Sequence, residues 1–160
     1  MKKIIIFFIF MSVNVFSQKQ NEIEKRLNIE LNKELKLQKE ASYFEADTLI
    51  VVEPYKIENN ILSVTVKKRS YYTKEFYLEK QEIDLDKITS IIKDINVIFE
   101  TDNDAVKITQ TDFEGKITTR NFNLFFLHLS TEKNNEFLAK NIIKAFKKEG
   151  YTIENRFWFD

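Results

Sequence analysis

The hydrophobic pattern changes character three times along the chain. Residues 4–11 are an unbroken run of Ile, Phe and Met, fading through Ser12, Asn14 and Ser17. From residue 18 to about 41 apolar side chains return every fourth position, at Ile23, Leu27, Leu31 and Leu35, with Leu37 and Ala41 beside the stripe. Glu, Lys, Asn and Gln fill the gaps, so this stretch reads as an amphipathic helix with a narrow buried face. From Thr48 the period becomes two, the signature of half-buried strands.

Residues 48–57 form the first such run, and Pro54 within it marks an edge or a bulge. Glu58-Asn59-Asn60 is turn chemistry. Residues 61–67 follow, with Leu62, Val64 and Val66 on one face; Lys68-Arg69-Ser70 makes the next bend. Residues 71–80 continue, with Tyr72, Phe76 and Leu78 expected to face inward. Residues 83–92 fit either a strand entering a short helix or one long bent strand. Strands are expected at 95–100, 105–111, 116–122 and 124–129, the last apolar enough to be central and covered on both faces. A second helix is expected to open near Thr131 as its cap, to bury Leu138, Ile142, Ala145 and Phe146, and to stop at Gly150. Residues 151–160 suit a short strand or an ordered tail.

About six or seven antiparallel strands and then one amphipathic helix define an α+β domain, with the N-terminal helix as an addition. Over roughly residues 48–149 this order resembles the pleckstrin-homology-like superfold, which implies a bent sheet or barrel closed at one end by the C-terminal helix. A cystatin-like helix-on-sheet arrangement is the alternative. Neither likeness implies an activity.

The start of the chain decides where the protein is expected to work. Met1-Lys2-Lys3, the apolar block and small side chains before a Ser17-Gln18 junction fit a removable signal peptide. A membrane-spanning helix needs about 20 apolar residues, and Ser12 and Asn14 interrupt this run first. The junction resembles export signals of Gram-negative bacteria, so a periplasmic or extracellular protein is expected. It divides into a signal at 1–17, a helix at 18–45 and an α+β domain at 46–160.

Composition narrows the chemistry. Losing 17 of 160 residues leaves 143, enough for one domain. There is no cysteine, so an exported chain relies on packing rather than crosslinks. Without Lys2 and Lys3, 23 basic residues face 25 acidic ones, which gives no footprint for nucleic acid. Only 2 Gly and 1 Pro argue against phosphate-cradling loops and proline-rich tracts. With one histidine, His128, and no cysteine, no structural zinc set or thiol catalyst can be assembled, and no cofactor motif is present. His128 alternates with Phe122, Leu124 and Phe126, which reads as a satisfied core or strand-end residue. Glu100, Asp102 and Asp104 lack the glycine and distal glutamate of a calcium loop and read as a soluble hairpin.

Two stretches remain as candidate binding surfaces. Lys67-Lys68-Arg69 with Tyr71 and Tyr72 could capture an anionic group, such as a lipid phosphate or an acidic partner protein. Phe157-Trp158-Phe159 could dock on a partner or simply close the core. The expectation is a non-enzymatic exported binding or accessory protein that engages another envelope or secreted protein through a sheet edge or an aromatic surface. An inhibitor or immunity-type protein is the alternative. A small hydrolase would require His128 in a pocket with a carboxylate within reach.

Overall fold

The computed structural model describes residues 21–40, 49–70 and 72–159. The signal peptide and its cleavage point after Ser17 lie outside these residues, as does Tyr71. Two helices, α1 (Glu22–Glu40) and α2 (Phe137–Lys148), accompany nine strands. These are β1 (Ile50–Glu58), β2 (Ile61–Arg69), β3 (Phe76–Asp84), β4 (Ile88–Lys93), β5 (Val97–Thr101), β6 (Val106–Thr111), β7 (Ile117–Phe122), β8 (Leu124–Phe126) and β9 (Glu154–Trp158). The architecture is α+β. One sheet has the order β1-β2-β3-β6-β7 and the other β8-β5-β4-β9, and they do not close a barrel. Every pairing is antiparallel except β4 with β9. No helix among the described residues is long and apolar enough to cross a membrane.

Local chemistry accounts for the element ends. Asn21 caps α1, its side-chain oxygen accepting from the Ile23 amide at 2.8 Å. Asn59 and Asn60 take φ values of 50° and 69°, the left-handed pair that a two-residue hairpin turn requires. The β1–β2 register shifts on either side of Glu53, next to Pro54. The ambiguous stretch 83–92 resolves into the end of β3, one 3-10 turn at Leu85–Lys87, and β4. Gly150 stops α2 at φ +92°, a conformation that disfavours a side chain.

The core joins Ile23, Leu27 and Leu31 of α1 to both sheets and to Leu138, Ile142 and Phe146 of α2. Phe99 and Phe146 meet edge-on at 5.3 Å, and Tyr151 continues the row at 6.2 Å from Phe146. Tyr55 is fully buried, and its hydroxyl donates to the Leu127 carbonyl, tying β1 to the segment after β8.

Three expectations change. Leu78 and Phe76 face outward on β3 and Tyr72 is exposed in the turn before it, while Glu79, Gln81 and Ile83 are buried, because the polar pair finds partners inside. Strand β8 is an edge rather than a central strand. Thr131 does not cap α2, which starts six residues later; its amide and hydroxyl instead donate to the buried Glu34 carboxylate of α1.

Polar side chains also close two sheet edges. The outward groups of β1 meet α1: Asn28 accepts from the Tyr55 amide and donates to its carbonyl, and Glu24 accepts from the Ile57 amide. Gln38 accepts from the Leu49 amide just before the strand. On β8, Gln81 reaches from β3 and grips Phe126 in the same way, accepting from its amide at 2.9 Å and donating to its carbonyl. An exposed edge is an invitation to pairing, and each amide side chain here takes the place of a neighbouring strand.

Candidate functional site

Lys67, Lys68 and Arg69 end β2, opposite Leu78, Tyr77 and Phe76 of β3. Between the strands the turn is closed by bonds from Lys74 N to Ser70 O and from Ser70 N to Glu75 O. Arg69 is pinned to this turn through its Nε, which donates to the Lys74 carbonyl at 2.9 Å. The Phe76 ring lies beneath two cations, with Lys67 Nζ 4.6 Å and the Arg69 guanidinium carbon 5.8 Å from its centroid. An aromatic face orients a cation without cancelling its charge.

These residues border a cavity of about 500 Å³ that Ile50, Tyr77 and His128 also line. Its described lining contains three cations and no carboxylate. A second concavity of about 570 Å³ lies on the other side of the hairpin, shares Arg69, Phe76 and Tyr77 with the first, and is also lined by Tyr72 and Phe113. The hairpin end is therefore a ridge of cations and aromatic rings between two hollows.

The three cations are not equivalent. Lys68 Nζ sits 2.5 Å from Glu79, whose other oxygen accepts from Gln110 at 2.9 Å. Burial pulls Glu79 upward, but Lys68 and these hydrogen bonds outweigh it and hold the carboxyl below its ordinary value. Lys68 is thus part of the frame. Lys67 has no carboxylate partner among the described residues and faces the cavity as a charge.

His128 forms the cavity's inner wall. It lies beyond the end of β8 with φ +52°, so it leaves the alternation of Phe122, Leu124 and Phe126. Its Nε2 meets the Gln81 amide nitrogen at 3.1 Å. Because the Gln81 oxygen is committed to the Phe126 amide, its nitrogen faces the ring, and the imidazole accepts there. Burial pushes the His128 pKa down to about 4, Lys68 adds to the fall, and Glu79 opposes it. The ring is neutral at pH 7, and the described residues give it no direct carboxylate partner.

The C-terminal aromatics belong to the other sheet. Trp158 is half-buried, donates to Asn135 at 3.0 Å and lies 5.8 Å from the buried Lys93 ammonium. Phe157 and Phe159 stack on each other outside, their centroids 5.4 Å apart. The structure therefore gathers Lys67, Lys68, Arg69 and Tyr72 at one ridge, leaves Phe157, Trp158 and Phe159 in the other sheet, and adds Phe76, Tyr77 and Gln81. Phe76 and Tyr77 follow the basic run closely in sequence, which is the signal that could have included them. Gln81 gave none.

The site thus defines a small α+β protein with a cation-lined, aromatic-floored cavity. Compared with known proteins, the chain matches no family model, no curated protein and no solved structure.

Proposed function

We propose that this chain is an exported, non-enzymatic binding or accessory protein of the bacterial envelope, which holds an acidic segment of another envelope or secreted protein. The observation that carries the reading is the pair of cations, Lys67 and Arg69, ordered over Phe76 at the mouth of a cavity with no carboxylate in its described lining. A carboxylate entering there meets the Lys67 ammonium already ordered over Phe76, so less ordering entropy opposes the bond. A near-neutral chain suits a partner protein better than nucleic acid. Support for a binding role over hydrolysis comes from the engagement of His128 by Gln81 and of Glu79 by Lys68 and Gln110, which leaves neither free as an acid or base.

Export belongs to the same proposal and rests on residues 1–17; N-terminal sequencing of the protein recovered from cells should begin at Gln18. The likeness to the pleckstrin-homology-like superfold rests on antiparallel strands preceding α2. The binding test is titration with an oligoglutamate peptide and with an uncharged peptide of equal length. Only the acidic peptide should bind, more weakly with rising salt, and Lys67→Gln with Arg69→Gln should reduce affinity by about tenfold or more, since a charge-assisted bond contributes about 1.5–3 kcal/mol. Equal affinity in the double variant would refute the site.

A further inference from the structure

We infer that β7 is a self-pairing edge, on which a second copy of this chain adds its own β7 antiparallel to extend the five-stranded sheet across a two-fold axis. All six β7 residues are exposed, and among the described residues nothing pairs with the side of β7 away from β6. The contrast with the other edges gives this weight. The fold closes β1 with Asn28 and Glu24 and β8 with Gln81, while β9 is blunted by a register shift opposite Ile91 and Lys93. Among the described residues β7 carries no such device: no proline, no bulge in its ladder with β6, and no side-chain hydrogen bond to its outer backbone.

The hairpin fixes which backbone groups are available. Asp112 N donates to Lys116 O, so that pair is bonded across the β6–β7 ladder. Bonded pairs alternate in an antiparallel ladder, so with the observed register Thr118, Arg120 and Phe122 turn their amides and carbonyls toward β6. Ile117, Thr119 and Asn121 turn theirs outward. A copy related by a two-fold axis can pair these groups only in registers that set odd residues against odd ones.

Charge then selects among the registers. Centring the axis on Arg120 sets two guanidinium groups opposite each other, and centring it on Thr118 sets Lys116 against Arg120 twice. Like charges directly opposite are unfavourable. Centring on Thr119 faces Thr119 with itself, Ile117 with Asn121, Thr118 with Arg120 and Lys116 with Phe122, with no like-charge contact. Threonine pairs are favourable neighbours across strands. Three facing pairs with two bonds each give about six new backbone hydrogen bonds, and the exposed Ile117 and Phe122 gain cover.

Because the chain has no cysteine, a single introduced thiol reports this geometry cleanly. In the proposed register two Thr119 Cα atoms sit about 5.5 Å apart, within disulfide range, whereas two Ile117 Cα atoms are about 13 Å apart along the strands. The test uses the protein recovered from expressing cells, by sedimentation equilibrium and by mild oxidation. Mass should rise toward twice the single-chain value with concentration, Thr119→Cys should crosslink to a dimer, and Ile117→Cys should not. Thr119→Lys, which opposes like charges at the axis while leaving β6 contacts intact, should abolish association without altering the melting temperature measured at concentrations where the parent is a single chain. A single-chain mass throughout, or equal crosslinking at 117 and 119, overturns the inference; in the former case an open edge that accepts a different protein's strand is the reading that takes its place.

Discussion

Lowering the pH from 7 toward 4.5 probes the burial of His128 directly, because the unfolded chain takes up a proton there before the folded one does. The imidazole titrates near 6.5 when solvated and near 4 in place. A folded value below the unfolded one means that stability is full above pH 6.5, falls as the pH drops, and levels off below about 4. A tenfold difference in proton affinity between the two states corresponds to about 1.4 kcal/mol, so the loss reaches ~2 kcal/mol at pH 5 and ~3 kcal/mol once both states are protonated. Glu79 and Glu82, held below their ordinary value of 4.5, also lose stability on acidification, but at lower pH. Their contribution is present above 4.5 and is lost only beneath it, so the window between 6.5 and 4.5 belongs to the histidine.

The assay is urea denaturation at half-unit steps across that window. With a urea slope of about 2 kcal/mol per molar, the midpoint should fall by about 1 M between pH 7 and 5. His128→Asn is the control: asparagine tolerates the left-handed backbone at φ +52° and does not titrate. Whatever its stability at pH 7, its midpoint should stay nearly flat down to pH 4.5. Parallel curves for the two proteins would refute the reasoning, since some other group would then be responsible for the slope.

Other substitutions separate frame from face. Gln81→Leu strands the partly buried Phe126 amide and carbonyl and should lower unfolding free energy by about 1–3 kcal/mol in urea, with faster hydrogen exchange at Phe126. Asn28→Ala opens the β1 edge and should reduce stability by about 1–3 kcal/mol, with accelerated exchange at the Tyr55 amide. Lys68→Gln removes the main partner of the buried Glu79 and should reduce stability by about 2 kcal/mol, whereas Lys67→Gln should leave the melting temperature unchanged and weaken only acidic-peptide binding.

Local signals in the sequence were sufficient for some elements and not for others. The α1 stripe of Ile23, Leu27 and Leu31 is buried as its spacing indicates, and so are Leu62, Val64 and Val66 on β2. The Asn59-Asn60 turn and the Gly150 stop need only backbone conformation, a property of the residues themselves. The faces of β3 were reversed because a polar residue inside a strand pattern reads as solvent-facing, while Gln81 is fully buried by a partner 45 positions away. Thr131 read as a cap for the same reason: its partner, Glu34, lies 97 positions earlier. The candidate site divides likewise. The basic run and Tyr72 were visible as a cluster, but the cavity exists only because Ile50, from β1, and His128, beyond β8, close around it.

That division has a physical basis in how buried polar groups are satisfied. Glu34 is held by Thr131 and Ser130, Glu79 by Lys68 and Gln110, and Lys93 by Asn135 and the Glu132 carbonyl. No buried side-chain nitrogen or oxygen is left without a partner among the described residues. Isolated buried polar groups are costly, so these side chains are bound to structural duty and are poor candidates for contact with a ligand. Among the described residues, two groups that the interior does not consume are the Lys67 ammonium over Phe76 and the outward backbone of β7. A ligand for the first should bring negative charge, because the described lining of the cavity offers cations and no carboxylate. A partner for the second need bring only an extended backbone, because Ile117, Thr119 and Asn121 present amides and carbonyls in strand spacing. The two surfaces therefore make different chemical demands, and binding at one does not require binding at the other.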